Sequence, residues 1–358
     1  MALRNTLRQG GYRMPAEFEE HKKTWMIWPE RPDVWRDNAI HAQHAYVTVA
    51  EIIAEFEPVT MCASKTQWEK ARAMLPRYIR VVEMSSNDAW MRDQGPTFVV
   101  NKQGEVCGVD WKFNAWGGIY SPWDQDELIA WKVLEIEGVN RYGGPMVLEG
   151  GSIEVDGEGT LITTEECLLN SNRNPDLTKQ NIERNLSEHL GVEKIIWLPR
   201  GVYNDTSGHI DNLCRFVQPG VLVLTWTDDK SDPQYEISNE AYNQLIREKD
   251  AKGRPFVLVK IPQPEPLFIT KEEVAGLTIT KNTAPRIAGD RLPASYVNFF
   301  IVDNGVLVPT FDDPQDPIAL QTLQKLLPHR RVVQVYSREI LLGGGNIHCI
   351  TLQQPFGK

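Results

Sequence analysis

Cysteine is sparse in this sequence. Cys62, Cys107, Cys167, Cys214 and Cys349 are scattered through 358 residues with no close pair. That excludes both a disulfide framework, which uses a dense, even set, and a zinc ribbon, which needs paired ligands at short spacing. Long apolar runs are also missing. The longest, such as Val221 to Trp226 and Phe299 to Val302, are far short of the roughly 20 residues that cross a bilayer, so no membrane span is expected. Nor is there a Lys/Arg-rich block, and 38 Lys plus Arg stand against 48 Asp plus Glu, a formal charge of -10. Nucleic acid is a poor partner for such a surface, because phosphate binding needs concentrated positive charge. The same field draws in a small cation. The first twenty residues carry Arg4, Arg8 and Arg13 but neither an apolar segment nor a cleavage-like site, so they do not read as a signal peptide, and a cytoplasmic protein is expected.

What is present can build a core, with 41% hydrophobic and 24% charged residues, which excludes disorder for most of the chain. Four stretches read as β-hairpins: Thr97 to Trp111 around Gln103-Gly104, Ser152 to Thr163 around Asp156 to Gly159, Asp211 to Trp226 around Pro219-Gly220, and Asn298 to Thr310 around Asn304-Gly305. A helical pattern follows each, near Gln125 to Glu135, Pro175 to Leu190, Asn239 to Ala251 and Gln315 to Leu327. A short apolar strand then closes each unit, at Pro145 to Leu148, Lys194 to Leu198, Phe256 to Ile261 and Arg331 to Val335. A fifth unit forms only if the ends join, Ile347 to Leu352 pairing with Thr24 to Trp28, followed by a helix near Asp37 to Phe56 and strands at Val59 to Ala63 and Tyr78 to Met84. Five like units closed by the termini leave no free edge between first and last. They predict one domain over residues 1–358. An ordinary mixed α/β domain is the competing expectation.

The unusual residues fall at one repeated place, between the last strand of a unit and the hairpin of the next. Cys349 follows three glycines in Gly343-Gly344-Gly345-Asn346-Ile347-His348-Cys349-Ile350-Thr351, and the space and backbone freedom of that turn mark it as a nucleophile. The other four cysteines read as small buried hydrophobes. His348, placed on the opposite face of a strand from Cys349, is a poor base for it. Gly208-His209-Ile210-Asp211-Asn212 puts His209 and Asp211 two apart at a strand start, on one face, where an acid raises and orients an imidazole; a surface His at a turn is the plainer reading. In Asn87-Asp88-Ala89-Trp90-Met91-Arg92-Asp93, an ion pair of Arg92 with Asp88 accounts for two charges, and Glu149 ends a strand beside Gly150-Gly151. Two carboxylates and a thiolate around one space repel by about 4 kcal/mol per contact at ~4 Å and a dielectric near 20. The set asks for a cation, and a flat guanidinium suits paired carboxylates.

On those four motifs, with Trp25-Met26-Ile27-Trp28-Pro29 in support, the sequence resembles the agmatine deiminase family of the guanidino-group-modifying superfamily over nearly its whole length. The resemblance implies a five-bladed α/β propeller and hydrolytic deimination of agmatine to N-carbamoylputrescine, on the route to putrescine. It implies Cys349 as nucleophile, His209 as acid and base, Glu149 as its partner, and Asp93 and Asp211 as guanidinium clamps. Neither a metal nor an organic cofactor is required. For the substrate tail we expect Trp90 and Asp205, then Asp88, with Gly344 and Gly345 lining the pocket and 288–298 lining it from the fourth unit. No cation stands free to receive an α-carboxylate, so agmatine is expected over arginine. Alternatives are an arginine deiminase or amidinotransferase of the same fold, and a non-catalytic guanidine-binding protein. A homo-oligomer, taken as a dimer, is expected.

Overall fold

The computed structural model describes residues 6–357 apart from Thr206, Asn282 and Pro285; Arg4 lies outside them. Each expected hairpin forms, and each turn has its own device. Asn101 accepts from the backbone N–H of Gln103 and Glu105, Asp156 from those of Glu158 and Thr160, Gly220 adopts φ 77° and Asn304 φ 63°. The paired strands are Thr97–Val100 with Val106–Lys112, Ile153–Val155 with Thr160–Thr164, Cys214–Gln218 with Val221–Trp226, and Phe300–Val302 with Gly305–Thr310. A parallel third strand completes each sheet: Asn140–Val147, Lys194–Leu198, Val257–Pro262 and Arg331–Tyr336. Helices bridge the second and third strands, as a parallel connection requires.

The remaining sheet joins the two ends of the chain in the order Leu352–Pro355, His21–Ile27, Val59–Ala63, Arg80–Glu83. Its closing pair is antiparallel, with Thr24 opposite Gln353 and Trp25 opposite Leu352. In each of the five sheets the last parallel strand is the most exposed and the strands before it are buried. Val306, Leu307 and Val308 are 0% exposed, whereas Val257 on an outer strand is 58% exposed. Each such inner side chain is worth ~1.5–3 kcal/mol of burial, so the inner strands of the five small sheets supply the core, in keeping with the expected five-bladed propeller.

Several boundaries differ from the sequence reading. The fourth helix is Pro233–Leu245, not Asn239 to Ala251, because Asp232 caps it by accepting from Gln234 N and Pro233 occupies the first turn. The third strand of the second sheet starts at Asn140 and runs through Gly143-Gly144-Pro145. A Cβ on Gly144 would sit 2.3 Å from the Trp111 ring, so the glycine serves close packing rather than a turn. The stretch 347–351 is a hydrogen-bonded turn, and the strand begins only at Leu352.

Candidate active site

Turns, not strands, deliver the reactive side chains. Asp93 lies in the helical turn Met91–Gln94, Glu149 precedes the turn Gly150–Ser152, Asp211 lies within Ile210–Asn212 with His209 as its N-cap, and Cys349 closes the turn after the glycines. The expected placement of His209 and Asp211 on one strand face is therefore incorrect, as is the strand argument for His348. A short helical turn crowds consecutive side chains toward one end of the ring. Gly151 marks the crowding, since a Cβ there would lie 2.8 Å from His209 Nδ1 and 3.0 Å from both Asp93 Oδ1 and Asp211 Oδ2. Gly345 does the same for the nucleophile, its absent Cβ leaving room 3.0 Å from Cys349 Sγ.

Asp93, His209 and Cys349 line a recess together with Trp90, Trp116, Tyr120, Asp205, Arg286 and Gly343 to Gly345. Asp211 and Glu149, each 0% exposed, sit one layer beneath. The two clamp candidates are held differently. Asp93 accepts at Oδ1 from Gly151 N (2.9 Å) and at Oδ2 from Trp116 Nε1 (2.8 Å). Asp211 accepts at Oδ2 from His348 Nδ1 (2.7 Å) and lies 3.6 Å from Cys349 Sγ, while its buried Oδ1 has no hydrogen-bond partner among the described residues. Such an oxygen is costly unless a ligand donor meets it. Asn298, from the segment expected only to line the pocket, donates from Nδ2 to Cys349 Sγ at 3.3 Å.

His209 Nε2 is 3.2 Å from Glu149 Oε2, and the other Glu149 oxygen accepts from Arg173 Nε at 2.7 Å. Cys167 Sγ also donates to Oε2, at 3.4 Å. Burial favours neutral His209, but the Asp93 charge, Cys167 and Glu149 hold its pKa well above the usual imidazole range. Glu149 is driven down to about 2 in spite of burial, by His209 and Arg173. Burial lifts Asp93, and Glu149 and Asp211 outweigh part of the pull of His209. Asp211, also buried, is nonetheless lowered by its bond to His348 and by that side chain's charge. Burial, then the charges of Asp211 and Asp93, raise the Cys349 thiol well above its ordinary value. The unliganded site thus pairs an imidazolium with a protonated thiol.

At the mouth, Trp90, Asp205, Gly344 and Gly345 line the recess as expected. Asp205 accepts from His209 N at 2.8 Å, and burial lifts its pKa to about 6 against the His209 charge. Asp88 is absent from the lining. It accepts from Trp35 Nε1 and Ala89 N behind the Trp35–Trp90 ring pair. Arg92 does not pair with Asp88 either; it reaches Glu17 at 3.1 Å and Gln353 at 2.8 Å. A cation does line the pocket: Arg286, which donates to Tyr120 Oη and Gly343 O. Trp116, Tyr120, Arg286 and Arg173 escaped the sequence reading, as did the bond of Asn298 to Cys349. Only Asn298 carried a signal, its place at the junction before the fourth hairpin.

Among the described residues, two groups offer metal-type ligand atoms within 4.8 Å of one another, Glu149 with Cys167 and His209, and His21 with Glu57 and Asp303. In the first, Arg173 already supplies positive charge to Glu149, and in the second His21 does the same for Glu57.

Residues 13–355 match the family described as Porphyromonas-type peptidyl-arginine deiminase. Agmatine deiminase of Pseudomonas aeruginosa (strain LESB58) is 57% identical over 98% of this chain and 97% of its own. The solved agmatine deiminase of Enterococcus faecalis is 46% identical over 98% of each chain, with a TM-score of 0.96. An agmatine deiminase from C. jejuni, solved with substrate bound, is 27% identical over 97% of each chain, with a TM-score of 0.82. The fold and the full-length identity agree with the geometry of the recess, and the chain belongs to the Porphyromonas-type peptidyl-arginine deiminase family, among its agmatine deiminases.

Proposed function

We infer that the protein is an enzyme that hydrolyses agmatine to N-carbamoylputrescine and ammonia through an amidino-cysteine intermediate. The observation that carries this is the unpartnered Asp211 Oδ1 buried beside a thiol and across from a second carboxylate. A guanidinium set between Asp93 and Asp211 satisfies that oxygen and supplies the positive charge the thiol lacks. Cys349 then loses its proton to solvent as the cation binds, and its thiolate attacks the guanidinium carbon, forming a C–S bond while the C=N π pair moves onto nitrogen. His209, as imidazolium, donates a proton to the departing amino group while the C–N bond breaks, releasing ammonia. Neutral His209 next takes a proton from water, whose oxygen adds to the amidino carbon. The C–S bond breaks, thiolate leaves and the ureido product forms. Glu149 keeps His209 oriented through both proton transfers.

The aromatic wall of Trp90 and Tyr120 and the Asp205 carboxylate suit an ammonium tail. Arg286 is committed to Tyr120 and Gly343, so an arginine carboxylate gains little there and meets Asp205, a loss of a few kcal/mol or ~10² in rate. The test is ammonia release from agmatine and arginine side by side, with products identified after competition at equal concentration. N-carbamoylputrescine should dominate; comparable citrulline would overturn the tail assignment and leave the guanidinium chemistry standing. We further propose one catalytic domain working as a homodimer in the cytoplasm, where its five free cysteines persist. Tyr78 at 70% and Trp131 at 45% exposure suit a symmetric interface, and sedimentation equilibrium measures it.

A further inference from the structure

The reading of Asp211 as a guanidinium clamp leaves open what aims it. A carboxylate on a short turn rotates about two bonds, and its only described side-chain donors are His348 and the Cys349 thiol. His348 is 2% exposed and has carboxylates on both sides, Asp211 Oδ2 at 2.7 Å from Nδ1 and Glu17 Oε2 at 2.9 Å from Nε2. Carboxylates only accept, so this arrangement requires a proton on each ring nitrogen. Glu17 is itself fixed, by Arg92 at 3.1 Å, by Arg215 at 2.8 Å and by the Ile301 backbone N–H at 2.8 Å. The backbone of His348 is tied too, its N–H donating to Asn298 Oδ1 at 3.0 Å, and the same Asn298 donates to Cys349 Sγ.

We propose that His348 is a positioning residue: a ring anchored on Glu17 through Nε2 that consumes Asp211 Oδ2 through Nδ1 and turns Oδ1 toward the guanidinium. This rests on the agmatine deiminase reading of the site. Because His348 and Cys349 are neighbours on one turn, the clamp and the nucleophile are set in register by a single backbone segment. Misplacement of a clamp by about 1 Å costs on the order of 10² in rate. Attraction of the cation to Asp93 and Asp211 survives such a misplacement, so the loss falls on kcat and much less on KM.

Two substitutions separate positioning from simple packing. The amide nitrogen of Asn lies as far along its side chain as Nδ1, and that of Gln as far as Nε2. His348→Asn therefore retains a donor to Asp211 and loses Glu17, whereas His348→Gln retains Glu17 and loses Asp211. Steady-state kinetics on agmatine, with thermal melts of both variants, should show His348→Gln down by on the order of 10² in kcat with KM changed by less than about fivefold. His348→Asn should keep kcat within about tenfold of wild type. Equal kcat in the two variants, a better Gln than Asn variant, or loss of the folded state in both assigns His348 to fold stability and overturns the proposal. Failure of the underlying reading is separate and is seen in wild type itself, as the absence of ammonia release from agmatine.

Discussion

Two corners of the site each hold a thiol, an imidazole and a carboxylate and use them in opposite ways. In the corner built by the third sheet and its following junction, Cys167, His209 and Glu149 meet; in the corner where the chain ends, Cys349, His348 and Asp211 meet. In the first, the histidine lines the recess and the cysteine is tucked behind it as a donor to Glu149. In the second, the cysteine lines the recess and the histidine is locked between Asp211 and Glu17. The difference teaches that role follows from unspent valence. His209 has Nδ1 left for the pocket, 3.9 Å from Asp93, while both nitrogens of His348 are committed.

The largest test of the comparison removes the thiol that faces the recess. Cys349→Ala should lower ammonia release by at least about 10⁴-fold with agmatine binding largely retained, and mass spectrometry of quenched wild type should place the amidino adduct on the Cys349 peptide. An adduct on Cys167 would exchange the roles of the two corners.

The carboxylates come next. Asp93→Asn and Asp211→Asn should each cost on the order of 10² or more in kcat/KM, because a neutral amide leaves the cation unbalanced and presents a donor to a donor. The Asp211 variant has a further signature. Its amide can turn its oxygen to His348 only by aiming its N–H₂ at the guanidinium, so added agmatine should protect Cys349 from alkylation less than in Asp93→Asn. Equal protection in the two would show that the His348 contact does not orient the clamp.

How far these corners could be read from sequence depends on chain distance. The hairpin turns at Asn304-Gly305 and Pro219-Gly220 announce themselves locally, and the junction rule then collects Asp93, Glu149, His209, Asp211 and Cys349. The errors of placement were also local. Asp232-Pro233 is a legible cap that apolar spacing alone overlooked, and the strand expected from Pro145 starts earlier, at Asn140, with Gly144 leaving space for the Trp111 ring. The partners that fix each role lay out of reach. Arg173 finds Glu149 across 24 positions, Asn298 finds Cys349 across 51, and Glu17, which no motif singled out, pairs with a histidine at position 348. Nothing in periodicity encodes those encounters.

A moderate effect is expected in the free enzyme. Burial and two neighbouring carboxylates raise the Cys349 thiol well above its ordinary value, so at neutral pH the nucleophile is protonated until a cation binds. Below the pKa the thiolate fraction grows tenfold per pH unit, and alkylation of Cys349 by iodoacetamide without agmatine should therefore rise about 100-fold from pH 7 to pH 9 without levelling. A plateau below pH 8 would mean that a thiolate is already formed in the empty site, with substrate charge playing no part in activating it.

The smallest effect belongs to the other thiol. Burial, followed by the Glu149 charge, pushes Cys167 up to about 11 against His209 and Arg173, so at working pH it is a neutral S–H donor to Glu149 and no nucleophile. A serine hydroxyl supplies the same donor, and Cys167→Ser should hold kcat/KM within about threefold, whereas Cys167→Ala leaves Glu149 Oε2 one donor short and should cost more, up to the ~1.5–3 kcal/mol of a hydrogen bond to a charged group. The loss in the alanine variant should appear as a shift in the His209 limb of the pH–rate profile, since Glu149 Oε2 then bears on the imidazolium alone while Oε1 stays with Arg173. If Cys167→Ser instead fell as far as Cys349→Ala, the thiol behind His209 would have to take part in the chemistry, and position in the recess would no longer distinguish the two cysteines.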